Sequence, residues 1–184
     1  MTAVDVMAAR RNAIDLARFS AGISATERGH KFSNPELAYS RFSVKARTSL
    51  DGLKEKLERA QKILEKAYER SESGEIDVTS LGAEAVSARI VLSLSEVLGA
   101  LFDKAVASKD IYALRMVAKA AEKLTIDSDE LLKESVYPRD PAVKKNVIAQ
   151  NIALARATYD VVVGTLDNTH REHGIEVPAF PAAA

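Results

Sequence analysis

Between Leu81 and Val106 the chain carries Leu81, Val86, Ile90, Val91, Leu94, Val97, Leu98, Leu101, Phe102 and Val106, placed so that a helix through them is apolar around most of its circumference. Such a helix has to be surrounded, and the rest of the chain must supply the shell. Arg89, Glu96, Asp103 and Lys104 interrupt the Ala88–Val106 stretch and weigh against membrane insertion. The segment therefore reads as the central helix of a soluble, cytoplasmic protein, or of a virion component. The N-terminal MTAVDVMAARRNAIDLARF has no charged start followed by an unbroken apolar run, so it does not read as a secretory signal.

The shell is expected to be helical as well. Gly 8 and Pro 5 in 184 residues are too few for the turns of a β sandwich. A first helix can start at Thr2 and end near Gly22, followed by a polar connection over Ser24–Asn34. The run Ser33-Asn34-Pro35-Glu36 is a strong start signal, with a capping side chain, proline in the first turn and an acid behind it. From there Leu50, Leu53, Leu57, Ala60, Leu64 and Ala67 recur at spacings of three and four on a strongly charged helix. Continuous from Pro35 to Ser71, that helix would be about 55 Å long and would project from a compact domain. Asp51-Gly52 offers a kink or break instead.

Thr79-Ser80 can cap the central helix, and Asp110 the next, which holds Ile111, Leu114, Val117, Ala118, Ala121 and Leu124. A short helical turn is expected around Leu131 and Leu132. The last long helix opens at Asp140-Pro141, holds Val143, Val147, Ile148, Ile152, Ala155, Tyr159, Val162 and Leu166, and closes near Gly174. The expected fold is an all-α bundle of four to five helices over residues 1–174. Residues 175–184 form an extended Pro/Ala-rich arm whose Phe180 packs either on another copy, as an exchanged arm, or back on its own bundle.

Several function classes are excluded by residue type. The chain has no cysteine, which removes disulfides, thiolate metal sites and cysteine nucleophiles. It contains neither a Gly-x-Ser-x-Gly elbow nor a phosphate-binding glycine loop, and no histidine has an arginine four to six residues before it. Two weak metal constellations remain. Glu27 and His30 share a Glu-x-x-His spacing, and Asp167, His170 and His173 follow one another at intervals of three on what would be one helical face. The plainer reading of the second group is a polar final turn whose histidines favour the negative helix end. No cofactor is expected.

Charge is segregated along the chain. Residues 1–72 carry 14 Lys+Arg against 10 Asp+Glu, a balance of +4, and residues 73–184 carry 12 against 16, a balance of −4. The excess is concentrated in Arg10, Arg11, Arg18, Arg28, Lys31, Arg41, Lys45 and Arg47, among which lie Phe19, Phe32, Tyr39 and Phe42. Cations interleaved with aromatics can hold phosphates and stack on bases, and the same pattern arises when the aromatics are core. A third reading sets this region of one copy against the acidic Glu122–Asp140 region of the next, giving head-to-tail contacts.

The sequence is thus read as a non-enzymatic, self-assembling homo-oligomeric structural protein, a virion, filament or scaffold subunit. Leu50, Leu53, Leu57, Leu64 and Phe180 are its candidate assembly residues. Nucleic-acid binding by the 10–47 region and a carboxylate/histidine metal protein are the alternatives.

Overall fold

A computed structural model describes residues 34–74, 82–133 and 140–181. Those residues are 84% helical, with no strand among them, and five helices pack against one another in an all-α bundle. They are α1 (Pro35–Asp51), α2 (Lys54–Glu72), α3 (Ala83–Ser108), α4 (Ile111–Leu131) and α5 (Pro141–Leu166), followed by the single turn α6 (Thr169–Glu172). The expected helix over Thr2–Gly22, with Arg10, Arg11, Arg18, Glu27, Arg28, His30 and Lys31, lies outside the described residues, as do Thr79, Ser80 and Leu81.

The start signals work as the side-chain chemistry requires. Asn34 Oδ1 accepts from Leu37 N at 3.1 Å, Asp110 Oδ1 from Ala113 N at 2.9 Å and Asp140 Oδ1 from Ala142 N at 2.9 Å, each satisfying an orphan amide of a first turn. By contrast, Gly82 precedes α3 without a side-chain cap.

The long charged helix does not project. It kinks at Gly52 and Leu53, where Leu53 N donates to Leu50 O at 3.0 Å, a three-residue bond in place of a four-residue one. Both residues keep right-handed helical dihedrals, so the path continues with a changed direction. α1 lies chiefly on α4 and α2 chiefly on α3.

α3 is the apolar core element that its pattern demands: Ile90, Val91, Leu94, Leu98 and Leu101 are all buried. Length and composition would suit α3 to a membrane span, yet it packs against α1, α2, α4 and α5. The hub is nevertheless α4, which touches every other described helix. Its buried arc includes Ala113, Ala118, Ala120 and Ala121 beside Leu114, Val117 and Leu124. Short side chains let neighbouring helices approach from several sides. The turn expected around Leu131 is simply the end of α4.

Serines in the core do not need outside partners. Ser87 Oγ donates to Ala83 O at 2.9 Å, Ser95 Oγ to Val91 O at 2.6 Å, and Ser128 Oγ to Leu124 O. Each bond returns to the carbonyl one turn earlier, which lets a hydroxyl sit in an apolar interior.

Candidate interaction surfaces

The leucine seam is spent inside the chain. Leu53 is 1% exposed, and Leu50, Leu57 and Leu64 are half-buried against the core, with Ala60 and Ala67 buried between them. The heptad-like spacing marks an apolar face, and that face packs against the bundle of the same molecule. Leu53 is a core residue here, and Leu50, Leu57 and Leu64 pack against that core with part of each side chain exposed.

Opposed charges also meet within one molecule. Lys45 Nζ lies 3.3 Å from Glu122 Oε1, and Lys56 Nζ is hydrogen-bonded to Asp129 Oδ1. The Lys56 hydrogen bond, reinforced by the charges of Lys56, Arg59 and Lys133, holds the Asp129 carboxyl below the usual carboxylate range despite opposing desolvation. Exposed pairs of this type are screened by solvent, so they orient α1 and α2 on α4 and do not hold them there. The aromatics of the basic stretch are engaged as well. Tyr39 Oη donates to Val106 O at 3.4 Å, Phe42 packs on the core beneath the Arg115 guanidinium at 5.6 Å, and Arg47 lies 5.2 Å over Phe102. Of the eight cations in the nucleic-acid reading, Arg41, Lys45 and Arg47 are described, and Tyr39 and Phe42 beside them face inward.

The Asp167, His170 and His173 group does not share a helical face. α5 ends at Leu166 because Asp167 and Asn168 turn left-handed, with φ of 43° and 62°. Short polar side chains tolerate that conformation better than others do. The break sends the three side chains to separate tasks. Asp167 Oδ2 accepts from Tyr112 Oη at 3.1 Å, and His173 Nε2 donates to Asp110 Oδ2 at 2.9 Å, while His170 points into the interior. Among the described residues no three His, Asp or Glu side chains form a group able to hold a metal ion.

His170 is 4% exposed and its Nδ1 has no hydrogen-bond partner. Burial, aided by the Arg171 charge, holds its imidazole below the ordinary value of 6.5. The folded state thus favours the neutral ring, and the unfolded chain binds the extra proton. This contribution to stability is complete above about pH 6.5 and is lost as pH falls through that value toward the folded pKa. Denaturant midpoints should therefore drop between pH 7.5 and pH 5.5, and His170→Phe should shrink that drop. An unchanged drop in the variant would assign it to other groups.

Two surfaces remain that the sequence reading did not rank. From Pro141 to Leu154 no α5 residue is buried, and Ala155 is the first that is. Val143 is 44% exposed, while Val147, Ile148 and Ile152 are half-buried and outside the core cluster. The second surface is the seat of the C-terminal arm. Gly174 turns with φ of 68°, and the chain then runs extended through Pro181 with Ile175, Val177 and Phe180 against the bundle. Tyr159 Oη donates to Pro178 O at 2.7 Å, the Tyr159 and Phe180 rings meet edge to face at 5.6 Å, and the Arg156 guanidinium covers both rings. Phe180 thus packs on its own chain.

Comparison with models of protein families, with curated proteins and with solved structures finds no match for this chain.

Proposed function

We propose that this chain is a non-enzymatic, self-assembling structural subunit whose contact with the next copy runs through the first half of α5. The observation that carries this reading is the apolar surface of Val143, Val147, Ile148 and Ile152, two i,i+4 pairs spread over about half the circumference and about 14 Å of the helix length, with none of the four buried. Helical stability in water comes mainly from packing an apolar face, so a stretch of helix with no buried residue gains by finding one. Lys144 and Lys145 border this surface, and no acid lies between Pro141 and Arg156. Two copies set with these surfaces together would bring like charges together, which favours a heterologous contact that closes into a ring or continues as a filament.

The test is the native mass of the intact chain beside Val143→Glu/Val147→Glu, measured by light scattering at micromolar concentration. The expected result is a wild-type particle well above the 19.9 kDa monomer and a monomeric variant of unchanged helicity. A monodisperse wild-type monomer would sink the proposal.

A further inference from the structure

We propose that the chain from Asp167 onward is an acid-opened latch, in which protonation of His170 lifts α6 and the C-terminal arm off the bundle while α1 to α5 stay folded. The latch belongs to a single chain and does not depend on assembly.

The unit is separable from the bundle. The buried apolar cluster takes its last member at Leu166, and past that point Ile175, Val177 and Phe180 only pack on its outside. Asp167 and Asn168, both left-handed without being glycine, interrupt the helix between α5 and α6, and the α6 bonds begin afresh at Asn168 O. A short set of bonds closes the latch: Tyr112 Oη to Asp167, His173 to Asp110, Ile175 N to His170 O at 2.8 Å, and Tyr159 Oη to Pro178 O.

Closure carries a penalty that depends on charge. It leaves His170 4% exposed and Thr169 fully buried, and neither His170 Nδ1 nor Thr169 Oγ1 finds a partner among the described residues, so opening returns both to water. The ionisable groups at this end of the bundle are Arg171, Glu172 and His173 on α6, Asp110 and Tyr112 at the start of α4, Asp167 after α5 and Glu176 on the arm. Asp110 is engaged by His173 and Asp167 by Tyr112, and Arg171 adds charge of the same sign as a protonated imidazole. The open form therefore holds a proton on His170 better than the closed form does. As pH falls below about 6.5 the open-to-closed ratio rises, by up to about tenfold per pH unit, until the closed form itself takes the proton. Opening strips the Phe180 ring and the Pro178 carbonyl from Tyr159 and uncovers that side of α5.

Native-state hydrogen exchange of the intact chain at pH 7.5 and pH 5.5 tests the latch, with the Ile175 amide as reporter because its bond to His170 O exists only when the latch is closed. At pH 7.5 its protection factor should lie at least about tenfold below those of the core amides of Leu98 and Leu114, and by pH 5.5 it should fall about tenfold further. His170→Phe, and the smaller His170→Asn, are uncharged at every pH, and whichever folds should lose that further fall. Ile175 protected as strongly as Leu98 and Leu114 would overturn the latch, since His170 would then act only on the stability of the whole chain. An absent fall in the wild type, or a fall that persists in a folded variant, would overturn it as well.

Discussion

Leu53→Ala should lower the unfolding free energy by about 3 kcal/mol while leaving the native mass of the folded chain unchanged. Leu53 sits at the kink between α1 and α2, 1% exposed, where its side chain fills the space beneath the change of direction. Truncation removes the transfer free energy of the side chain and leaves a void that two helices anchored on different neighbours cannot both close. Chemical denaturation gives the first quantity and light scattering the second. A loss of assembly with little loss of stability would mean that Leu53 faces another molecule, contrary to its place in the core.

Ala121→Leu is expected to cost about 2 kcal/mol or more, although it adds an apolar side chain to an apolar core. Ala121 is fully buried on α4, the helix that touches all the others. Added methylenes there must displace a neighbouring helix or force a strained rotamer, because Ala121 is itself fully enclosed. The exposed Ala153→Leu is the natural control and should change stability by no more than about 0.5 kcal/mol. Equal effects at the two positions would contradict the central place of α4.

These two positions mark what could be read from the chain and what could not. Local chemistry was legible. Asn34, Asp110 and Asp140 announce their helix starts because a capping side chain acts on amides two or three residues away, and Gly52 marks a kink that the structure contains. The apolar character of α3 was legible for the same reason, since periodicity is a property of one element. What covers a face is not local. The spacing of Leu50, Leu53, Leu57 and Leu64 is the same whether the partner is the bundle of the same chain or a second copy, and Lys45 and Lys56 are equally cationic toward Glu122 and Asp129 of either molecule. α4 was ranked below α3 because alanine carries little hydrophobic signal, whereas in packing its small size is what admits neighbours on several sides. The left-handed pair Asp167 and Asn168 ended α5 early and separated Asp167, His170 and His173. Only the tolerance of short polar residues for positive φ could have hinted at it.

The sequence placed Phe180 in the arm and left its seat open. The first half of α5 carries apolar residues as the second half does, Val143, Val147, Ile148 and Ile152 ahead of Ala155, Val162 and Leu166, and nothing in that pattern separates the two halves. Phase states which side of a helix is apolar, and only the lengths of the neighbouring helices decide how much of that side they cover.

Lys45 and Lys56 meet Glu122 and Asp129 within one chain. The most direct measurement of this closure uses Lys45→Cys/Glu122→Cys, two positions that face each other across α1 and α4, joined by a short bis-maleimide over a range of protein concentrations. One product is expected at every concentration, an internally bridged chain of monomer mass with unchanged helicity. Covalent dimers or ladders that dominate at high concentration and vanish on dilution would show that these charges meet between copies, and would contradict it.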